Sequence, residues 1–289
     1  MRTLPIYQVD AFSRAAFGGN PAGVVPEAHG LNDSTMQHIA REMALSETAF
    51  VLPSEGEGDV RVRFFTPTDE VDLCGHATVA AFHLLSELKM IQPPVKLVQE
   101  TGAGPLEVDV ARDGNVMMTQ RLPIIEPCPR VEELAALLGT AAVSGPVQIV
   151  STGLRDIIVP IADRESLWAL RPRLSQLADF CRDVGVISVH AFSHDTVEDE
   201  STVHCRDFSP AVGVNEEAAT GTASGATAAY LVHNHLVAWA PRIPMRLEQG
   251  HILGRPSFIA AVIATSGDQI TGVQVGGHAY TVLKGTLYF

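Results

Sequence analysis

The chain has 289 residues, of which 46% are hydrophobic and 18% are charged, a composition that supports packed cores and excludes a disordered chain. Its formal net charge of −13 argues against nucleic acids and anionic membranes as partners, because both require clustered Lys and Arg. The four cysteines lack a C-x-x-C pair, and no signal-peptide core or membrane-length apolar stretch is present. We therefore expect a soluble, cytoplasmic protein.

The first half alternates predicted strands with predicted helices. Residues 6–12 alternate in polarity, as a half-buried strand does, and residues 18–23 form a glycine-rich loop. A helix is expected to begin at Asn32 or Asp33, since Met36, Ile39 and Met43 then share one face. The remaining elements expected in this half are strands over 48–52 and 60–64, a helix over 77–85, and a hairpin of 96–99 with 106–108.

Three prolines, at 123, 127 and 129, interrupt the pattern, and we place the crossover between two domains there. The predicted domains are residues 1–122 and 123–289, with a final strand near 278–289 returning to complete the first. A helix over 131–138 ends at Gly139. Strand candidates in the second half are 157–159, 186–189, 258–262, 273–275 and 280–283.

The same turn occurs twice in the chain. Phe65-Thr66-Pro67 leads into Cys74-Gly75-His76-Ala77-Thr78, and Phe208-Ser209-Pro210 leads into Ala219-Thr220-Gly221-Thr222-Ala223. Glu100-Thr101-Gly102 and Glu248-Gln249-Gly250 recur at nearly the same offset. A fixed period indicates two halves of similar design. Each turn presents backbone N–H groups at a helix start, an arrangement that suits an anionic substrate.

Glu47 lies between the end of a predicted helix and an apolar strand. A carboxylate desolvated in such a setting has a raised pKa, which suits a general acid/base near neutral pH. The alternative is an ordinary solvated loop glutamate, and sequence position alone favours that alternative.

The two turns also allow catalytic and structural interpretations. Cys74 at a helix start is a candidate thiolate, because the helix dipole favours an anion, and His76 is a candidate donor to substrate. The alternative is a structural role, in which Cys74 is a buried thiol and His76 a hydrogen-bonded core histidine. In the second turn the N–H groups of Gly221 and Thr222 are a candidate anion site, with an acid facing an amine, although helix capping alone explains the acids.

The chain contains no motif of several common enzyme and nucleotide-binding classes. The sequence contains no H-E-x-x-H, Walker A or G-x-S-x-G motif. The glycine-rich loop 18–23 lacks Rossmann spacing and contains a proline. Neither a metal nor a nucleotide cofactor is indicated.

Taken together, these motifs resemble the PhzF-like (phenazine biosynthesis-like) isomerase family, within the diaminopimelate-epimerase fold. The matching segments, in the family's order, are 9–12, 19–24, 46–50, 65–67, 74–78, 219–223, 249–250 and 254–257. The resemblance implies an α+β fold of two pseudo-symmetric domains, each a mostly antiparallel sheet rolled around a central helix. It also implies an active site between the domains and a homodimer.

The resemblance assigns roles to individual residues and reverses the preference about Glu47, which becomes the general acid/base. His76 takes the place of a substrate-binding histidine, with Gly75 as its backbone neighbour, and Gly221 and Thr222 match the anion-binding turn. Glu217 stands where the family usually has Asp, which shifts its carboxylate by one methylene. The further candidate site residues are Asn20, Ser46, Cys74 and Thr220.

The implied chemistry is cofactor-free proton transfer on a small carboxylate-bearing metabolite, for which a dihydro-hydroxyanthranilate is one candidate. A racemase, epimerase or dehydratase of the same fold using Cys74 is an alternative. Racemisation by two thiols requires a second cysteine, whereas Thr220 stands at the matching position. A non-catalytic protein that binds a metabolite or another protein is the last alternative. The joint presence of Glu47, His76 and Gly221 argues against that binder.

Overall fold

The structure is a computed structural model that describes residues 3–289, and the chain forms two compact units. The first unit comprises residues 1–119 and 276–289, and the second comprises residues 120–275. The predicted domain boundary at 122 and return at 278 differ from these limits by two or three residues. Of the helices in residues 3–289, none combines the length and apolar character needed to cross a membrane.

The first unit is a sheet wrapped around one helix. Its elements are β1 (Thr3–Ala11), β2 (Asn20–Val25), α1 (Asp33–Met43), β3 (Thr48–Pro53), β4 (Val60–Phe65), β5 (Glu70–Val71), α2 (Gly75–Glu87), β6 (Val95–Thr101), β7 (Gly104–Val110), β8 (Val116–Gln120) and the chain's last strand, β18 (Ala279–Tyr288). Strand β1 pairs antiparallel with both β2 and β18. The β2–β3 and β4–β6 pairs are parallel, and the β3–β4, β6–β7 and β7–β8 pairs are antiparallel.

Helix α2 is the central helix of this unit. It contacts β1, β2, β3 and β18, and nine of its residues are buried. A helix that is apolar or small on every side belongs in a core, and the run Ala77 to Leu85 is of that kind. The predicted helix is confirmed and extends two residues further at each end.

Helix α1 begins as the sequence predicts. Asn32, and not Asp33, is the N-cap, and its side chain accepts a hydrogen bond from the Thr35 N–H. Met36 and Ile39 are buried, in one core cluster with Phe50. The helix ends at Ala44, which adopts the left-handed conformation typical of a C-terminal cap.

The second unit is also a sheet around one helix. Its elements are β9 (Ile124–Pro127), α3 (Val131–Leu138), β10 (Gln148–Ser151), β11 (Arg155–Pro160), α4 (Arg164–Ala169), α5 (Leu174–Val184), β12 (Ser188–Ser193), β13 (Val203–Ser209), β14 (Val214–Glu217), α6 (Gly221–His233), β15 (Arg242–Gln249), β16 (Ser257–Ser266) and β17 (Gln269–Gly277). Helix α6 is almost wholly buried and contacts β10, β11, β12 and β16.

One expectation about this unit was wrong. The proline-rich segment was expected to interrupt the strand pattern, but β9 forms there and pairs antiparallel with β10. Pro127 lies at the last position of β9, opposite Gln148. A proline at the end of a strand removes only one N–H donor from the ladder, so the strand tolerates it.

The internal repeat is a repeat of topology. In the first unit a parallel pair (β2–β3), an antiparallel pair (β3–β4) and a second parallel pair (β4–β6) follow one another. In the second unit the same series is β11–β12, β12–β13 and β13–β15. The central helices α2 and α6 precede the equivalent strands β6 and β15. The α+β class, with mostly antiparallel sheets around central helices, is confirmed.

The repeated glutamate has the same structural role in both units. Glu100 on β6 binds the loop between β3 and β4, where its carboxylate accepts hydrogen bonds from the N–H groups of Glu55, Gly56 and Gly58 and from Ser54 Oγ. These backbone donors lower the pKa of Glu100 to about 2.

Glu248 on β15 binds the equivalent loop between β12 and β13. Its carboxylate accepts hydrogen bonds from the N–H groups of Val197 and Glu198 and from His204 Nδ1. Burial opposes ionisation, but the His204 hydrogen bond and the backbone donors outweigh burial and lower the pKa of Glu248 to about 2.

A third buried carboxyl, Asp156 on β11, behaves in the opposite way. Its Oδ1 accepts a hydrogen bond of 2.9 Å from Ser188 Oγ. Asp207 on β13 lies in the same buried region, where it accepts hydrogen bonds from His190 Nδ1 and Ser209 Oγ. Burial, followed by the charge of Asp207, raises the pKa of Asp156 to about 8.

We predict that Glu248→Gln destabilises the fold by roughly 1–3 kcal/mol near pH 7, because two N–H donors then face a weaker acceptor. A carboxyl whose folded pKa is lowered stabilises the fold above its unfolded pKa of about 4.3, and this contribution is lost as the pH falls towards 2. Urea unfolding of the wild type and the variant from pH 7 to pH 2 should therefore give converging free energies. Glu57→Gln, an exposed loop change, is the control, and a gap independent of pH would contradict the assignment.

We predict that Asp156→Asn changes the pH dependence of the unfolding free energy in the direction opposite to Glu248→Gln. Because the folded pKa of Asp156 is about 8 and the unfolded value about 3.9, its protonated form stabilises the fold at low pH, and this stabilisation is lost as the pH rises through 8. The variant should therefore gain unfolding free energy relative to the wild type between pH 5 and pH 8. Asp199→Asn serves as an exposed control. Parallel stability curves for the wild type and Asp156→Asn would show that the carboxyl is not protonated in the fold.

Candidate active site

Four side chains of the first unit surround the imidazole of His76. His76 is the second residue of α2 and is buried, and Cys74 is the N-cap of that helix. Asn20 is the first residue of β2. Ser46 and Glu47 lie between α1 and β3, directly before the strand begins at Thr48. Each of these residues was a candidate from the sequence, and the structure brings all five together.

Both ring nitrogens of His76 have neighbours. Glu47 Oε2 and Ser46 Oγ each lie 3.2 Å from Nε2. Cys74 Sγ lies 3.4 Å from Nδ1, and Asn20 Nδ2 lies 3.5 Å from it. His76 therefore stands between a carboxylate and a thiol, which is a geometry through which a proton can move.

The parallel pairing of β2 with β3 positions Glu47. The Gly23 N–H donates a 3.0 Å hydrogen bond to the Glu47 carbonyl, and Gly23 lies opposite Thr48 in the register. A Cβ on Gly23 would stand 2.6 Å from Thr48 Oγ1, so only glycine permits this approach. The glycine-rich loop thus serves the site by bringing the starts of β2 and β3 side by side.

The expectation that desolvation raises the pKa of Glu47 was wrong. Burial does favour the neutral acid, but the hydrogen bond and the charge of His76 outweigh burial, and the pKa of Glu47 is lowered. Burial works against the imidazolium too, yet Cys74 and Glu47 raise the pKa of His76 well above its usual value. The resting state is therefore a carboxylate beside an imidazolium, with Glu47 in the form that accepts a proton.

Of the two interpretations of Cys74, the structure favours the buried thiol over the thiolate. Burial, followed by the negative charge of Glu47, raises the pKa of the Cys74 thiol above its ordinary value. The charge of His76, its hydrogen bond to the thiol and the hydrogen bond from the Ala77 N–H act in the opposite direction but are weaker.

The remaining candidates lie at the start of α6 in the second unit. Thr220 is the N-cap and its side chain makes no capping hydrogen bond, so it does not occupy the first N–H groups of the helix, on Gly221 and Thr222. Glu217 ends β14, just before this turn. Gly75 holds the equivalent place in α2, where a Cβ would stand 3.4 Å from the Met118 methyl.

Gln249 is a site residue whose role the sequence did not indicate. Its Oε1 accepts a hydrogen bond from the Thr220 N–H, and its Nε2 donates to Thr220 Oγ1 and to the Glu217 carbonyl. The amide thereby fixes the turn that leads into α6. The signal available in the sequence was the repeated glutamate-x-glycine segment, in which Gln249 takes the place of Thr101.

The two acids before α6 differ in their contacts. Arg206 holds Glu216 with two parallel hydrogen bonds, Nε to Oε1 at 2.8 Å and Nη2 to Oε2 at 2.9 Å. Glu216 is therefore held in a partly buried ion pair within the unit.

A histidine cluster in the second unit does not fit a metal ion. His204, Glu248 and His251 lie close enough to be ligands. However, the Trp168 indole N–H donates a 2.9 Å hydrogen bond to His204 Nε2, which leaves the ring proton on Nδ1, and Nδ1 donates to Glu248. The lone pair of His204 that a metal would need is thus already an acceptor, and the cluster holds Glu248.

Comparisons with known proteins identify the family of the chain. A family model described as phenazine biosynthesis-like protein matches residues 9–285. An uncharacterised isomerase of Clostridium acetobutylicum is 35% identical, with 99% of each chain covered. The trans-2,3-dihydro-3-hydroxyanthranilate isomerase of Pseudomonas aeruginosa is 33% identical, and the match covers 97% of this chain and 98% of that one.

Solved structures give the same result. A PhzF-family phenazine biosynthesis protein of Bacillus anthracis matches with a TM-score of 0.92 at 30% identity, over 100% of both chains. A hydroxyproline epimerase of Agrobacterium vitis, at 14% identity and a TM-score of 0.63 over 99% of this chain and 92% of its own, shares the fold alone. With the family model matched over nearly the whole length and relatives this similar, the chain belongs to the phenazine biosynthesis-like (PhzF) protein family.

Proposed function

We propose that the protein is a cofactor-independent isomerase in which Glu47 moves a proton within a small carboxylate-bearing metabolite. The observation that carries the proposal is the buried Glu47–His76 contact, 3.2 Å between Oε2 and Nε2. It places an ionised carboxylate in a largely water-excluded site, where an acid/base group acts most strongly. Relatives named isomerases support the reaction class.

The proton transfer is balanced without any other reactant. Glu47 takes a proton from a carbon that a neighbouring carboxylate or enamine acidifies, and the resulting carboxylic acid returns it to another carbon on the same face. His76, as an imidazolium, orients the Glu47 carboxylate and stabilises its charge between turnovers. The double bond moves as the proton moves, so the substrate is neither oxidised nor reduced.

The substrate carboxylate is proposed to bind at the start of α6. N–H groups at a helix N-terminus attract anions through their hydrogen bonds and the helix dipole. Gln249 holds this turn in place, and Glu217 is the acceptor proposed for a substrate amine.

A dihydro-hydroxyanthranilate is the first substrate to test, since a relative at 33% identity carries that name. Glu217 replaces the family's usual Asp, so a related amino or hydroxy acid is the next choice. A homodimer and a cytoplasmic location, both expected from the sequence, remain predictions.

The alternatives differ in the residue that they require. An epimerase or dehydratase of this fold would use Cys74 as its base, and the raised pKa of the Cys74 thiol disfavours that use. A non-catalytic binder would not need an ionised Glu47 beside His76.

We predict that Glu47→Gln abolishes proton exchange. Wild type and variant are incubated in D2O with trans-2,3-dihydro-3-hydroxyanthranilate and a panel of amino and hydroxy acids, and deuterium incorporation is followed by proton NMR. Loss of general acid/base catalysis should slow the reaction by about 10²-fold or more. Glu42→Gln, an exposed change on α1, should exchange like the wild type. Equal exchange by wild type and Glu47→Gln would transfer the role to another base, with Cys74 the next to test.

We predict that Gln249→Met raises KM for a carboxylate substrate by about tenfold, with a smaller effect on kcat, because the turn loses the hydrogen bonds that orient it. Steady-state kinetics measure the two constants separately. An unchanged KM in a folded variant would place the substrate carboxylate elsewhere.

A further inference from the structure

The loop between β1 and β2 holds two phenylalanines in a backbone conformation that side chains rarely adopt. Phe12 has a φ of +64° and Phe17 a φ of +68°, and they are two of the six non-glycine residues with positive φ among residues 3–289. For a bulky residue this left-handed conformation is strained, and it persists only where the surrounding structure enforces it. Such strain is concentrated at binding and catalytic sites, so the loop is a candidate for a role in function.

Contacts on both sides of Phe17 enforce its conformation. The Phe17 N–H donates a 2.9 Å hydrogen bond to Oδ2 of Asp10, a buried carboxylate on β1. Two residues later, Gly19 also has a positive φ, and a Cβ there would stand 2.0 Å from the Ala11 carbonyl oxygen. The first unit therefore uses a buried charged group and a close backbone approach to hold this one residue in place.

The rings of the two phenylalanines lie in opposite environments. Phe12 is fully buried, so packing in the core accounts for its conformation. Phe17 is 76% exposed, the highest exposure of any large apolar side chain in residues 3–289. A single exposed apolar residue is ordinary, but packing in the core does not account for one that is also strained. The strain at Phe17 therefore serves the placement of its ring outside the core.

The loop carries this ring to the candidate active site. Phe17 lies three residues before Asn20, the first residue of β2, and Asn20 Nδ2 lies 3.5 Å from His76 Nδ1. Three residues span at most about 11 Å, so the Cα of Phe17 lies within that distance of the Cα of Asn20. A phenylalanine ring at that distance is within reach of a small cyclic acid bound against Glu47 and His76.

We propose that Phe17 is a specificity-determining residue whose ring stacks on a planar, conjugated ring of the substrate. The inference rests on the proposed function, which places the substrate against Glu47. Aromatic faces prefer offset-stacked or edge-to-face contacts with other π systems, and these contacts add to the free energy gained by burying apolar area. The substrate class is therefore a conjugated cyclic carboxylic acid, in preference to a saturated one of the same size.

This substrate class agrees with the chemistry proposed for Glu47. Conjugation spreads the negative charge that develops when a carbon loses its proton, so it acidifies that carbon. Stacking on a ring that Asp10 and Gly19 hold in place keeps one face of the substrate towards the carboxylate. A proton that is taken from and returned to the same face requires that orientation. Because the loop is held before the substrate binds, little conformational entropy is lost on binding.

Binding of anthranilate (2-aminobenzoate) tests the inference without turnover. Its saturated analogue, 2-aminocyclohexanecarboxylate, carries the same amine and carboxylate on a ring that is neither planar nor conjugated. Titration calorimetry of the wild type should give a Kd about tenfold lower for anthranilate than for the analogue, as expected for one aromatic contact. Phe17→Ala and Phe17→Gly should both lose this preference, and Phe17→Tyr, which keeps an aromatic ring, should retain it.

Thermal unfolding separates the ring from the strain. Phe17→Gly removes both, so its melting temperature should rise by about 2–4 °C, whereas Phe17→Ala keeps the strained conformation and should show no such rise. Met90→Ala, an exposed apolar change beyond the far end of α2, is the control and should keep the wild-type preference.

Three results would overturn the inference: equal affinities of the wild type for the two acids, no binding of anthranilate to the wild type, or a preference that Phe17→Ala retains. Absence of deuterium exchange in the wild type, with the ring preference intact, would instead contradict the isomerase proposal alone.

Discussion

The site depends on one buried ion pair, the Glu47 carboxylate against the His76 imidazolium. Neither group is stable in that environment alone, because a buried charge without a partner is strongly unfavourable. Each therefore fixes the protonation state of the other. The fold brings the two side chains together. His76 lies at the buried start of α2, and Glu47 directly precedes β3, a neighbouring strand.

The internal repeat allows the two copies of one turn to be compared directly. Both units place a central helix behind a small-residue turn, and both use a glutamate to bind the equivalent loop. At the turn itself the copies differ, since Cys74 and His76 of the first correspond to Thr220 and Thr222 of the second. The first turn thus carries titratable side chains, whereas the second offers backbone N–H groups held by Gln249. We propose that one architecture supplies an acid/base site in one copy and an anion site in the other.

Much of this arrangement could be predicted from local sequence. Short stretches of sequence predicted the cap at Asn32, the apolar runs of α2 and α6 and the repeated turns. These features depend on residues close together along the chain, so the structure retains them. Glu47, Cys74 and His76 were predicted as separate candidates from their local sequence, and the family resemblance assigned roles to Glu47 and His76. Their distances required the structure.

Features that the local sequence did not predict depend on residues distant along the chain. The pKa of Glu47 is lowered and not raised, because His76, which is remote in sequence, outweighs the burial that the local apolar strand suggested. The pKa of the Cys74 thiol is raised by its burial and then by the charge of Glu47, which is likewise remote in sequence. Strand β9 forms among prolines because its partner β10 supplies the pairing. In each case a tertiary neighbour overrode a local tendency.

Cys74 and Glu47 together raise the pKa of His76 well above its usual value, and nitrogen NMR of histidine-labelled protein measures the Glu47 contribution. The His76 ring signals, assigned by their loss in His76→Gln, should remain those of an imidazolium well above pH 6.5 in the wild type. In Glu47→Gln the same signals should change to the neutral form at lower pH. A neutral His76 at pH 7 in the wild type, or a titration that Glu47→Gln leaves unmoved, would contradict the account.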